Sequence, residues 1–421
     1  MNRITATYDI ESPLGVDHAA TVLAGEQSTG TFTRLAAETD ELRERSAARI
    51  ESLTITGSSP NPSLPSRKSG PAYERGTVTI SWSLDNFGVS LPSLFSTLAG
   101  NLFELAELSA IRLLDIGLPK EFALAHPGPQ FGADGTRELM GGHEGPVIGT
   151  IIKPSVGLSP SETAELVQTL IEAGIDFIKD DELQANGPHC PFEERLKLVS
   201  RVINLHAEKT GKRVMYAFNI TDEIDQMWRN LDLLQEHDGI CAMVCMNSVG
   251  LTGLRAVRDR SPMIVHGHRA GWGLFSRSPD IGISFTAFQK LWRLAGADHL
   301  HVNGLASKFT ESDEVVAQSA RSVQQPVCEG DGPQHLAMPV YSSGQTVWQI
   351  DPARRLLGND DFIFCAGGGI MSHPSGIGAG VIALRQAAAA AKEGVDIEMY
   401  AANAPELKSA LETFKKPSID L

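Results

Sequence analysis

Residues Asp176 to Gln184 read DFIKDDELQ. The apolar pair Phe177-Ile178 runs directly into Lys179, Asp180, Asp181 and Glu182. A short apolar run that ends in a cluster of charge suits a strand covered on both faces, with chemistry at its exit. Seven other stretches share this form. They are PVIGTIIKP from Pro146, RVMYAFNIT from Arg213, CAMVCMNS from Cys241, MIVHGHR from Met263, HLHVNGL from His299, AMPVYSSG from Ala337 and DFIFCAGGG from Asp361. Helical patterns such as SETAELVQTLIEAG and RLKLVSRVINLHAEKTG lie between them. Eight strand-and-helix units over about 250 residues predict a (β/α)8 barrel. An open doubly wound sheet is the alternative, and the lack of a clean G-x-G-x-x-G loop disfavours it.

The first ~125 residues have another texture. RITATYDIE alternates as a strand, VDHAATVLAGEQ has helical spacing, and GTFTRLAAE and GTVTISWSL read as strands. SLFSTLAGNLFELAEL reads as an amphipathic helix, and AIRLLDIGLP as a closing strand. The Ser/Pro-rich ITGSSPNPSLPSRKSGP reads as a mobile loop. The expected division is an α+β, ferredoxin-like domain over 1–125 and a barrel over 126–421, with the tail from Met399 forming one more helix docked outside.

Composition narrows the partners. A net charge of −15 argues against nucleic acid and anionic membranes. No apolar run is long enough to span a bilayer, and the N-terminus lacks a signal core. The five cysteines form no C-x-x-C pair, and Cys241 and Cys245 lie in an apolar run. They read as buried thiols of a cytoplasmic protein.

The strand ends collect Lys153, Lys179, Asp181, Glu182, Asn219, Asn247, His266, His268, Arg269, His301, Asn303, Ser342, Ser343 and Gly367 to Gly369. Alternation puts residues i and i+2 on one face. Lys179 therefore shares a face with Asp181 while Asp180 points away, and Lys153 pairs with Ser155, His266 with His268, and His299 with His301. Asp181 and Glu182 are hard oxygen ligands suited to Mg²⁺, or else members of a solvated, ion-paired loop. A lysine on the ligand face is either a salt-bridge partner or a carbamate formed with CO₂. The glycine run before GIGAGVIALRQAAAAAK is a phosphate cradle or a tight packing point. Arg269 and His268 are a second anion site or a hydrogen-bonded rim.

GTIIKPSVGLS and GIDFIKDDE together resemble the signature pair of the ribulose-bisphosphate carboxylase (rubisco) large-chain superfamily. GEQSTGTFT resembles that family's E-S-S-T-G-T-W-T, and LAGNLF its G-N-x-F. VHGHRAGWG, DHLHVNGLASKF, MPVYSSGQTVW and GGGIMSHPSG follow in family order, with the same step from His301 to Lys308. The resemblance implies Lys179 as a carbamate-bearing ligand of one Mg²⁺, with Asp181 and Glu182. It implies Lys153 as an acid/base or electrostatic group, His268 on substrate hydroxyls, Lys308 on a mobile loop and Ser342 lining the pocket. Arg269 and His301 would hold one phosphate, and Thr31, Gly344, Gly367 and Gly368 a phosphate or carboxylate at the other end. Glu26 and Asn101 would come from the second subunit of a homodimer.

The departures point away from carboxylation. Ser155 stands where carboxylases carry a lysine, Ser343 where they carry a glycine, Phe32 for a tryptophan and Trp272 for a histidine. SKFTE replaces G-K-L-E-G. The pattern resembles a rubisco-like, non-carboxylating member acting on a phosphorylated small molecule through a Mg²⁺-stabilised enolate. The favoured reaction is C–C cleavage, by decarboxylation or by transcarboxylation with hydrolysis, of a 3-oxo sugar-acid phosphate such as 3-oxo-isoapionate 4-phosphate. The alternatives are an isomerase or enolase of methylthio-sugar phosphates, a non-catalytic binding paralogue, and a true carboxylase.

Overall fold

A computed structural model describes residues 2–30 and 35–420. Its strands are β1 (Arg3–Ser12), β2 (Arg49–Ser59), β3 (Tyr73–Ser83), β4 (Ala110–Gly117), β5 (Val147–Ile151), β6 (Phe177–Lys179), β7 (Met215–Asn219), β8 (Cys241–Cys245), β9 (Ile264–His268), β10 (Ile281–Ile283), β11 (His299–Asn303), β12 (Met338–Tyr341) and β13 (Ile363–Cys365). The chain divides into two compact units. One comprises 1–127, 271–295 and 326–334, and the other 128–270, 296–325 and 335–421.

The first unit is built on a five-stranded sheet of order β10-β4-β1-β3-β2. β1 pairs antiparallel with β3 and β4, and its even-numbered residues Ile4, Ala6, Tyr8 and Ile10 are buried. The helix Val16–Glu26 buries Val16, Ala19, Ala20 and Leu23. Two sequence expectations need correction here. The segment GTFTRLAAE is no strand where it is described: 36–37 form a turn, a helix follows over Asp40–Ser46, and 31–34 lie outside the described residues. The missing strand is β2, which begins later and runs into the presumed loop. β2 is the sheet edge and almost wholly exposed, so it carries no burial alternation to read. The Ser/Pro stretch after it is anchored at Ser63. The Ser63 amide and hydroxyl both donate to the buried Glu11 carboxylate, at 2.7 and 2.6 Å.

The second unit is a closed parallel barrel, order β11-β12-β13-β5-β6-β7-β8-β9. All eight strands fall within the eight apolar runs of the sequence. Val147, Phe177, Met215, Ala217, Cys241, Met243, Ile264, Met338, Val340, Ile363 and Cys365 form its apolar core. These residues recur at alternate positions along their strands, so the next inward positions carry the polar groups at the barrel mouth. All five cysteines are buried thiols. No helix among the described residues is long and apolar enough to cross a membrane. The tail folds as two short helical turns over 397–403 and a helix Pro405–Thr413, which buries Leu407 and Ala410.

A buried carboxylate ties the barrel together at the entry to β11. Asp298 accepts from Arg258 (2.7 Å) and from the backbone amides of Val265 (2.8 Å) and Phe131 (2.7 Å). Asp298 and Arg258 are both withdrawn from water. Replacing Asp298 by Ala strands the guanidinium and two amides. A loss of about 3–5 kcal/mol is expected in urea unfolding of Asp298→Ala.

Candidate active site

β5 ends at Ile151, and the chain turns through Lys153 to a helix that starts at Pro160. Ser159 caps that helix in a capping box with Glu162. The helix start fixes the length of the connection and leaves the Lys153 side chain over the barrel mouth. Its ammonium donates to Ser155 Oγ at 2.8 Å and to Asp181 Oδ2 at 2.6 Å. Ser155 therefore accepts from the lysine beside it.

Lys179 lies at the last position of β6 and is only 1% exposed. Its ammonium donates to the Asp180 carbonyl at 2.8 Å and stands 3.6 Å from Glu182 Oε2. Burial alone raises the Asp181 carboxyl. The Lys153 hydrogen bond, the Leu183 amide and the nearby Lys179 outweigh it and hold the group below its ordinary value.

Asp180 turns the other way, as alternation requires, and anchors the whole segment. It accepts from Arg195 (3.1 Å), the Tyr216 hydroxyl (2.6 Å) and the Asn219 amide (2.8 Å). The Asp180 and Arg195 side chains are fully buried. The Asn219 side chain then reaches the Asp181 and Glu182 carbonyls, at 3.4 and 3.3 Å. This support was not readable from the sequence, because Arg195 and Tyr216 lie 15 and 36 residues further on.

His268 closes the acidic side. Its Nδ1 accepts from the Ala270 amide (3.2 Å), which leaves Nε2–H facing Glu182 Oε2 at 3.5 Å. Burial first, then the neighbouring Lys179, pushes its pKa well down, so the ring is neutral.

Across the barrel a chain of buried groups runs inward. Thr136 Oγ1 meets His299 Nε2 (2.8 Å), and His299 Nδ1 meets His266 Nδ1 (3.2 Å). His266 Nε2 meets His301 Nε2 (2.8 Å), and His301 Nδ1 meets Ser342 Oγ (3.1 Å). Burial holds all three rings neutral, His299 down to about 3. Each N···N contact needs one N–H and one lone pair, so the three tautomers are locked to one another.

Arg269 is nearly buried and pairs with Glu311 Oε2 at 2.7 Å. Asn303, at a bulge in β11 with φ 76°, donates to the same oxygen at 3.0 Å. Lys308 lies on the exposed loop after β11, its ammonium 5.3 Å from the Phe309 ring centre. A Cβ on Gly344 would lie 3.8 Å from the Lys308 amide nitrogen, and the φ of 83° at Gly344 follows Ser343 at 72°. A Cβ on Gly367 would lie 3.9 Å from Lys153 Cε, and one on Gly368 would meet nothing within 4 Å.

The structure thus brings Lys153, Lys179, Asp181, Glu182 and His268 to one mouth, with Gly367 beside Lys153. It gathers His301, Ser342, Arg269 and Asn303 into the facing network. Glu26 and Asn101 belong to the first unit, where Asn101 donates to Glu26 at 3.3 Å on an exposed face. Trp272 also lies in the first unit and is buried against Phe275, Phe285 and Phe288, so its bulk serves that unit's core. Thr31 and Phe32 lie outside the described residues. Among the described residues no three His, Cys, Asp or Glu side chains are placed to hold a metal. Asp181 and Glu182 bring two carboxylates to the mouth beside the Lys179 amine, hard oxygen donors of the kind a divalent ion takes.

The N-terminal domain profile of the ribulose bisphosphate carboxylase large chain matches residues 2–122, and its catalytic domain profile matches 132–414. This chain belongs to the rubisco large-chain superfamily, as a rubisco-like member. The 3-oxo-isoapionate-4-phosphate transcarboxylase/hydrolase of Xanthobacter autotrophicus is 51% identical over 97% of this chain and 98% of that protein. The 3-oxo-isoapionate-4-phosphate decarboxylase of Rhizobium etli is 40% identical over 98% of each. The crystal structure of a rubisco-like protein from Burkholderia fungorum superposes with a TM-score of 0.92 at 40% identity, covering 98% of this chain and all of that one.

Ser343 occupies a left-handed conformation that costs a non-glycine residue about 1–2 kcal/mol. Ser343→Gly relieves that strain and gives up some chain entropy. The expected result is a gain of about 1 kcal/mol in urea unfolding.

Proposed function

We propose that this rubisco-like protein is an enzyme that cleaves a C–C bond of a phosphorylated 3-oxo sugar acid, with 3-oxo-isoapionate 4-phosphate as the substrate. The reading is carried by one juxtaposition: Lys153, at 2.6 Å from Asp181, beside the buried Lys179 and Glu182. The 51% identity to the transcarboxylase/hydrolase, against 40% to the decarboxylase, favours transcarboxylation with hydrolysis over simple loss of CO₂.

Lys179 as a carbamate, with Asp181 and Glu182, would hold one Mg²⁺. When bound, that ion lowers the cost of negative charge on the 3-oxo oxygen and its neighbour. The residues of the chain do the rest. In a 3-oxo acid the bond to the carboxyl carbon breaks, its electron pair moving into the enolate of the adjacent ketone and the carboxyl carbon leaving as CO₂. In transcarboxylation the enediolate takes that CO₂ back at the former ketone carbon, and the neighbouring hydroxyl-bearing carbon becomes a ketone. Water adds to this new ketone, the bond between the two carbons breaks, and two acids result once the released carbanion is protonated. The Lys153 ammonium, steered by Ser155, is placed to stabilise that charge and to return a proton to carbon. The neutral His268 offers Nε2–H as a donor to a substrate hydroxyl without adding charge. Gly367 and Gly368 leave room for an anionic end of the substrate next to Lys153, and Lys308 on its loop would cover it. We further propose a cytoplasmic homodimer in which Glu26 and Asn101 of the partner subunit complete each site. The exposed Glu26–Asn101 pair supports that arrangement.

Incubation with 3-oxo-isoapionate 4-phosphate, Mg²⁺ and bicarbonate tests the reaction. Two shorter acids without CO₂ are expected. Released CO₂ with a single ketose phosphate would instead identify a decarboxylase, and an unchanged substrate would remove the proposal. In the same assay Lys153→Met is expected to lower kcat by about 10²–10⁴ with KM nearly unchanged.

A further inference from the structure

The cation at the rim between β9 and β11 is already matched by an acid of the same chain. Arg269 is only 9% exposed, and its guanidinium donates to Glu311, itself 11% exposed. Acids on loops are usually solvated, and the three residues before Glu311 on this loop are exposed. Glu311 alone among these four is turned inward, and two features hold it there. Ser312 caps the helix Asp313–Val323, which fixes where the loop must end. Asp313 Oδ1 accepts from the Ala306 amide at 2.5 Å, which draws the start of the loop to its finish. Asn303 adds a second donor to the same Glu311 oxygen.

The neighbouring ring is closed as well. His301 has one nitrogen on His266 and the other on Ser342. A neutral imidazole has two hydrogen-bonding nitrogens, so none is left for a ligand. A phosphate approaching here would meet the Glu311 carboxylate in a poorly solvated setting, where like charges repel most strongly. Specificity is often built from such a repulsive element.

We propose that Glu311 is a built-in anion that holds the place a second phosphate would take beside Arg269, and so confines the enzyme to substrates carrying one phosphate. The inference deepens the functional reading above and rests on its assignment of a phosphorylated sugar acid. Its test uses unreactive probes on the full-length protein. A pentitol with phosphate at both ends and a pentitol with phosphate at one end are titrated calorimetrically. The wild type is expected to bind them within about threefold of each other. Glu311→Gln keeps the shape and removes the charge. It should tighten the doubly phosphorylated probe by about tenfold or more and leave the other within about threefold. Adding Arg269→Met to that variant should cancel the gain. A wild type that already prefers the doubly phosphorylated probe tenfold overturns the proposal. So does a folded Glu311→Gln with unchanged preference. Glu311→Ala takes its place if the glutamine variant does not fold. Turnover of 3-oxo-isoapionate 4-phosphate is measured separately. Its absence counts against the functional reading and leaves the probe ratios to decide the role of Glu311.

Discussion

An ammonium group with almost no contact with water stands at the end of β6, and the rest of the site is arranged around it. Burying a charge is expensive unless it is matched. Lys179 has a backbone carbonyl at 2.8 Å and a carboxylate at 3.6 Å, while the better-placed acid, Asp181, is already taken by Lys153. The arrangement leaves Lys179 short of partners, which is a good starting point for chemistry that changes its charge. Asp180 makes it possible. By locking onto Arg195, Tyr216 and Asn219, it keeps the backbone rigid just where two acids and a lysine must converge.

The opposite rim follows a different logic. Its histidines are neutral and committed to one another, and its arginine is matched by an internal acid. The mouth is therefore asymmetric, with four charged side chains, Lys153, Lys179, Asp181 and Glu182, gathered beside β5 and β6 and neutral rings with one closed ion pair beside β9 and β11. That asymmetry suits a substrate whose phosphate lies at one end and whose reacting carbons lie near Lys153.

Much of the barrel was legible because its strands are buried on both faces and read as plain apolar runs. β2 was not, since an exposed edge strand has no inward face to mark it. β10 has only three residues and pairs with β4, some 170 positions earlier, so no local pattern announces it. The grouping of Lys179 with Asp181, and of Lys153 with Ser155, followed from the two-residue period of a strand. Glu311 was invisible for the opposite reason: the direction of a loop side chain is set by where the next helix starts and by what the loop folds over. The linked His266, His299 and His301 could be placed on inward faces by period, but their mutual hydrogen bonds depend on the register between β9 and β11.

We propose that Lys179 becomes an oxygen donor for a divalent ion. Carbon-13 NMR of the protein equilibrated with ¹³C-bicarbonate, with and without Mg²⁺, tests this directly. A single protein-bound carbamate resonance that strengthens with Mg²⁺ and vanishes in Lys179→Arg is the expected result. A protein that turns over its substrate while showing no such resonance, or the same resonance in Lys179→Arg, would contradict the account.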